Sequence, residues 1–422
     1  MLFWLLVAGT LTFLCLNLNS KNTFSNYKDP NNYKNPIWAD AAGYYVYLPA
    51  TFIYGWEANA LPIDWPDQLG EGFDYDEEGK LQTKYPVGAA LLEFPFFLLA
   101  HSWASINGNA DGYSYEYHVG LWVAGLFYLI LGLFFLKEYL AKRFDLKYVL
   151  ITLLVLLFGT NLYYYGVNSA GMSHIYSFFL FAFLLWLSDS IAYKVNAKRI
   201  VLFAFFAGIC LMVRPTSIIY LLFLLILNPE LLIRLTKAPL KKPILFISTV
   251  IAFVLPIVPQ ILYWKYSTGN FISYSYGEEG FNWLSPELIK FWFSSNNGLF
   301  SYTPVLIFAL IGIGVMWRKN KKEALKFTFL FLLISYVFSA WWCWWYGCSY
   351  GSRSFVEFIV PFSIPFCLFV QQTFKTNLAS LKYLTLALAG VFIFVNLKMI
   401  YKYDDCFHGE VWDWEGFYKL IF

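Results

Sequence analysis

Charge is scarce in this sequence. Only 14% of its 422 residues are Asp, Glu, Lys or Arg, while 59% are hydrophobic. A soluble domain carries roughly 25% charged residues, so a soluble fold is excluded and a polytopic membrane protein is expected. Histidine is rarer still, with four residues, and the six cysteines (Cys15, Cys210, Cys343, Cys348, Cys367, Cys406) form no C-x-x-C metal pattern. There is no Walker A sequence, no GxGxxG at a strand–helix junction and no HExxH. No nucleotide site and no nucleic-acid partner is therefore expected. No stretch repeats with a period of 20–50 residues, and no internal pseudo-repeat of the transporter kind is present. The apolar segments hold almost no charge, so a charged path across a bilayer is missing.

What is abundant is aromatic: 22% of residues are Phe, Trp or Tyr. Many lie near the ends of apolar segments, as interfacial belts require. Segments of spanning length recur at about 2–18, 117–136, 148–166, 171–192, 243–263, 299–317, 327–343, 355–371 and 382–400. Between 200 and 232 a run is split by Arg214-Pro215 into two short spans, with the break at one membrane face. The first run lacks a basic leader and a small-x-small cleavage site, and is read as a retained span. Segment 86–104 is long enough to span but carries Glu93, Pro95 and His101. Orientation decides its role. With 86–104 in the outer interface, the loops 137–147, 193–199, 233–242, 318–326 and 372–382 all fall inside, and they hold 18 of the 30 Lys and Arg residues. That satisfies the positive-inside rule. The fold expected is an all-α membrane protein of about 11 transmembrane helices in a single domain over 1–422, N-terminus inside and C-terminus outside. It carries a first outer loop at 19–116 with juxtamembrane helices, a second at 264–298 and an outer tail at 401–422. Within the first loop, helices are expected at 40–55 and 86–104, and the acidic stretch 64–80 reads as solvated surface.

The chemistry-bearing residues converge on the outer face. Asp40 begins a helical pattern (Tyr44, Tyr47, Leu48, Phe52) that suggests an amphipathic juxtamembrane helix. Its carboxylate is a candidate general base, or a charge complementing the helix dipole. Lys84 is a candidate cation for a lipid phosphate, or a snorkelling side chain. Arg214 and Arg353 run against the inside bias of basic residues, so each needs a partner: a protein carboxylate or a phosphate. Glu357 stands four residues after Arg353 as such a carboxylate, while Gly347 and Gly351 would let backbone approach a ligand. His174, Glu278, Glu279 and Tyr85 are candidates for substrate or metal contacts. Glu278 and Glu279 with Asp40 could build an oxygen-rich divalent site, though no DxD or DE pair accompanies Asp40. Cys343 and Cys348 could pair in an extracytoplasmic loop, but free thiols are the expectation.

Five stretches carry a family resemblance: WADAAGYY at 38–45, TKYPVGAALL at 83–92, RPT at 214–216, SNNGLFSYTP at 295–304 and WYGCSYGSR at 345–353. In this order and topology the chain resembles the GT-C superfamily of integral-membrane glycosyltransferases. The likeness is to the bacterial branch related to protein O-mannosyltransferases and aminoarabinose transferases. The resemblance implies a polyprenyl-phosphate-sugar donor and a lipid, glycan or protein acceptor at the periplasmic face of the inner membrane. It implies that Asp40 is the acid of the first outer loop, and that Lys84, in its Lys-x-Pro setting, meets the donor phosphate with help from Arg353. Sugar, acceptor and any divalent cation stay open. A flippase or transporter of lipid-linked sugars and a non-catalytic envelope-assembly subunit are the alternatives. The first needs access from both faces.

Overall fold

In the computed structural model, Gly9, residues 35–403 and residues 413–422 are described. The expected first span at 2–18, residues 19–34 of the first loop, Cys15 and Cys406 lie outside them. The described chain is all-α but for one two-residue strand pair, β1 (Asp74–Tyr75) with β2 (Leu81–Gln82), in antiparallel register Asp74↔Gln82. Its main helices are α1 (Asp40–Tyr45), α2 (Gly88–Asn107), α3 (Tyr115–Leu140), α4 (Leu146–Gly159), α5 (Ser173–Tyr193), α6 (Ala197–Val213) and α7 (Ile218–Leu227). They continue as α8 (Pro229–Leu240), α9 (Pro243–Thr268), α10 (Ile307–Lys319), α11 (Lys321–Ser339), α12 (Ile359–Lys375), α13 (Ala379–Lys402) and α14 (Trp414–Ile421). Among the described residues five of these helices are long and apolar enough to cross a membrane, and six if α7 and α8, bent by 96°, count as one.

Local chemistry sets several boundaries. Asn196 and Asn320 cap α6 and α11, each accepting from the backbone N–H three residues on. Pro304 and the Thr160 break interrupt the expected continuous runs at 299–317 and 148–166. Gly312 faces the Pro365 carbonyl, where an added Cβ would sit 1.9 Å away, so α10 and α12 come closer than any side chain allows.

Contacts sort the connections into two ends. At one end Lys142 and Arg143 meet Asp189, Arg199 reaches the Ser190 carbonyl, Lys326 reaches that of Leu227 and Lys375 meets Asp145. At the other end Arg214 meets His174, Asn161 bonds the Ser352 carbonyl and Asn396 bonds those of Phe158 and Thr160. Helix α2 has both its ends at this second end: Gly88 abuts the Met212–Val213 backbone and Asn107 donates to Glu116. Between them α2 lies along the first half of α3, with Tyr128 donating to the Leu92 carbonyl at 2.9 Å.

Two sequence expectations are corrected here. The 40–55 segment forms a helix from Asp40 that widens into a π-turn at Ala50–Tyr54, but it is not amphipathic. Residues 41–50 are all buried and only Phe52 of the expected pattern is exposed, because the 64–85 segment covers the other face. The 64–80 stretch is not uniformly solvated either. Trp65, Leu69 and Phe73 are buried while its acids stay outside, and the strand pair ends it.

Candidate functional site

The start of α1 is held under compression. Ala39, just before it, takes φ +46° and donates its N–H to the Leu69 carbonyl at 2.7 Å. That is a costly backbone region for a residue with a Cβ. A Cβ on Gly72 would lie 1.9 Å from the Ala39 carbonyl oxygen, and one on Gly43 would lie 2.2 Å from both the Gly72 carbonyl oxygen and the Tyr85 ring. Two glycines therefore let the Leu69–Phe73 segment and Tyr85 press directly on the helix that presents Asp40.

Residues 83–87 are pinned from α9. The Thr83 N–H donates to Tyr263 Oη at 2.6 Å, the Val87 N–H donates to Gln260 Oε1 at 2.8 Å, and Tyr47 donates to the Tyr85 carbonyl at 2.6 Å. This places the Tyr85 hydroxyl to donate to Asp40 Oδ1 at 2.5 Å. Arg353 Nη2 meets the other oxygen, Oδ2, at 2.8 Å. Both carboxylate oxygens are thus engaged. Asp40 remains 25% exposed and Arg353 17%. Burial pushes the Asp40 pKa up, but the Arg353 charge, the Tyr85 hydrogen bond and Lys84 together outweigh it and hold it below 3.8, its ordinary value. Burial and then the Asp40 charge push the Tyr85 hydroxyl well above its ordinary value, so it stays a donor.

Lys84 is the most exposed cation of the group, at 39%. Its Nζ meets Glu279 Oε1 at 2.5 Å and lies over the rings of Tyr85 and Tyr276, 5.7 and 5.8 Å from their centroids. Glu278, its neighbour, points into solvent and is exposed.

Arg214 and His174 form a deeper layer. Arg214 Nε meets Glu357 Oε1 at 3.1 Å, and Arg214 Nη1 lies 2.8 and 3.1 Å from the two ring nitrogens of His174. His174 Nδ1 meets Glu357 Oε2 at 3.2 Å, and both residues are 1% exposed. The carboxylate of Glu357 therefore belongs to Arg214 and His174, and the Arg353–Glu357 pair, one of the two alternatives for Arg353, does not form. The four-residue rule holds on a helix surface, whereas Arg353–Phe355 is a single 3₁₀ turn and α12 starts only at Ile359.

The loop that carries Arg353 is wired from its centre. Asn297, buried and at φ +57°, donates to the Trp345 and Gly347 carbonyls at 2.8 and 3.2 Å and to Ser349 Oγ at 2.8 Å. It also accepts the Gly351 N–H at 3.1 Å. Gly351 presses on the Tyr302 Cβ, while Gly347 has open space and serves its left-handed φ of +60° instead. Cys343 is free, and Cys348 is disulfide-bonded to a residue other than Cys343, so the expectation of free thiols holds for the first and fails for the second.

One end of the molecule thus gathers Asp40, Tyr85, Arg353, Lys84 and Glu279 at its surface, with Arg214, His174 and Glu357 beneath. Sequence reasoning missed Tyr276 and Tyr346, whose rings flank Lys84 and Arg353. Each lies within a few residues of a residue it singled out, Glu279 and Arg353, and that proximity was the available signal. A divalent ion does not fit this donor set. Asp40 is occupied by Arg353 and Tyr85, Glu279 by Lys84, and among the described residues no group of three or more His, Cys, Asp or Glu side chains converges. Chemically, the surface layer offers the Asp40 carboxylate beside two partly exposed cations, Lys84 and Arg353, an arrangement suited to accepting a proton next to an anion. No protein-family model, curated protein or solved structure matches the chain.

Proposed function

We propose that this chain is a GT-C-type membrane glycosyltransferase. In this reading it moves a sugar from a polyprenyl-phosphate donor to a lipid, glycan or protein acceptor at the periplasmic face of a bacterial inner membrane. The observation that carries the reading is the placement of the Asp40 carboxylate between Arg353 and Tyr85, with Lys84 beside it, at the end of the molecule away from the basic loops. The reading keeps the expected topology of about 11 spans, N-terminus inside and C-terminus outside, with the basic loops at the inner end. With both its ends on one side, α2 is an outer-leaflet helix rather than a crossing in this topology. A disulfide at Cys348 is in keeping with an oxidising compartment on that side.

In this mechanism the acceptor hydroxyl or amine attacks the anomeric carbon, and the bond from that carbon to the phosphate oxygen breaks. The electron pair stays on the phosphate and the acceptor proton passes to Asp40. Attack opposite the phosphate inverts the anomeric configuration. Lys84 and Arg353 stabilise the charge growing on the phosphate, more in the transition state than before it. An arriving phosphate competes with Glu279 for Lys84 and with Asp40 for Arg353. Asp40, losing its cation in a largely buried place, gains proton affinity as a base requires. General-base catalysis of this kind contributes roughly 10²–10⁴-fold.

Mass spectrometry of the lipid that co-purifies with the chain tests the reading. A polyprenyl-phosphate sugar is expected, with its retention reduced in Lys84→Ala. A preparation that retains only membrane phospholipids, in wild type and variant alike, contradicts it.

A further inference from the structure

Away from the site, a groove of about 1030 Å³ runs between α6 and α9. Its floor is apolar, built from residues such as Val201, Phe205, Leu245, Ile251 and Leu255. Lys198, Lys241 and Lys242 line one end of it, and all three are exposed. No Asp or Glu lines it, and among the described residues no carboxylate pairs with any of these lysines. From Pro243 at the basic end to Leu255 the groove follows twelve residues of helix, about 18 Å at 1.5 Å per residue. Half of a bilayer's hydrocarbon core is about 15 Å. The groove therefore has the depth of one leaflet, with three uncompensated positive charges where that leaflet's headgroups lie.

We propose that this groove binds an anionic glycerophospholipid, its phosphate at Lys198, Lys241 and Lys242 and an acyl chain in the apolar trough. The occupant is fixed by charge and by length. A zwitterionic lipid brings no net charge to the three lysines, and a free phosphate leaves the trough exposed. The site lies at the end of the molecule opposite Asp40 and does not depend on the transferase reading. Each lysine near an anionic headgroup strengthens binding about fivefold, so three give on the order of a hundredfold at full strength.

The test is native mass spectrometry of the full chain in detergent with phosphatidylglycerol and phosphatidylcholine of matched acyl chains. Phosphatidylglycerol is expected to be retained at least tenfold more than phosphatidylcholine. The triple variant Lys198→Gln, Lys241→Gln, Lys242→Gln should lose at least fivefold of that preference. Ser248→Trp, which fills the trough from its half-buried wall, should lower retention of both lipids. Equal retention of the two lipids by the wild type, a preference unchanged in the triple variant, or retention unaffected by Ser248→Trp each overturns the assignment.

Discussion

Asp40 is a carboxylate whose charge is fixed by its neighbours. Arg353 and Tyr85 each take one oxygen, and the carboxyl is held below its ordinary 3.8 although burial opposes this. A depressed carboxylate contributes stability that is present above pH 3.8 and lost as pH falls through its folded value. The same sign governs the proposed chemistry: the base is ionised across the neutral range, and the acid limb of kcat/KM lies below 3.8. In Arg353→Gln the cation is gone while the burial stays. The acid limb should then move upward, and donor affinity should fall, measured as a pH profile of sugar transfer beside a donor titration. An unmoved limb would mean that Arg353 does not set Asp40's charge. From sequence, Lys84, Arg214 and Arg353 stood out as cations on the face expected to avoid them, and Asp40 as the carboxylate that opens the helical pattern of the first expected outer loop. Their pairing did not, because Asp40 and Arg353 lie near opposite ends of the chain and no local rule joins them. The local rule that did apply, Arg353 with Glu357, presupposed a helix that begins only two residues later.

At the scale of elements, two unlike segments meet at the site. One is the 38–87 unit, whose glycines let backbone and ring press on α1. The other is the 340–358 loop, which has little regular structure of its own and hangs on Asn297. Asn297→Ala removes the amide whose two N–H hydrogens are shared among the Trp345 and Gly347 carbonyls and Ser349 Oγ, orphans the buried Gly351 N–H, and puts Ala at a left-handed φ that it tolerates poorly. We expect a loss of about 2–4 kcal/mol in unfolding free energy, read by thermal denaturation in detergent, together with weaker donor binding as Arg353 shifts. Full stability in that variant would remove Asn297 as the hub. The sequence marked 295–304 and 345–353 as notable stretches, but not that one side chain of the first organises the second. Helix α2 shows the opposite case. Its 20 residues are long and apolar enough to cross a membrane, whereas the charge count led to an expected place in the outer interface. Its two ends meet Met212–Val213 and Glu116 at one end of the bundle.

For the whole molecule, the all-α architecture followed from scarce charge and recurrent apolar runs. The sharp bend between α7 and α8 and the break at Thr160 did not, although Pro304 and Pro229 stand in the sequence where helices restart. The two-ended arrangement predicts a labelling pattern in a cysteine-free background with a membrane-impermeant thiol reagent. Tyr75→Cys should react from the periplasmic side and Asn320→Cys only after permeabilisation; the reverse pattern would invert the topology and remove the site from the proposed face. The central claim is that Asp40 takes the acceptor's proton, and sugar transfer from a polyprenyl-phosphate donor by Asp40→Asn tests it most directly. The variant should insert and fold while turnover falls at least about a hundredfold. Near-normal turnover in a folded Asp40→Asn protein would contradict the account.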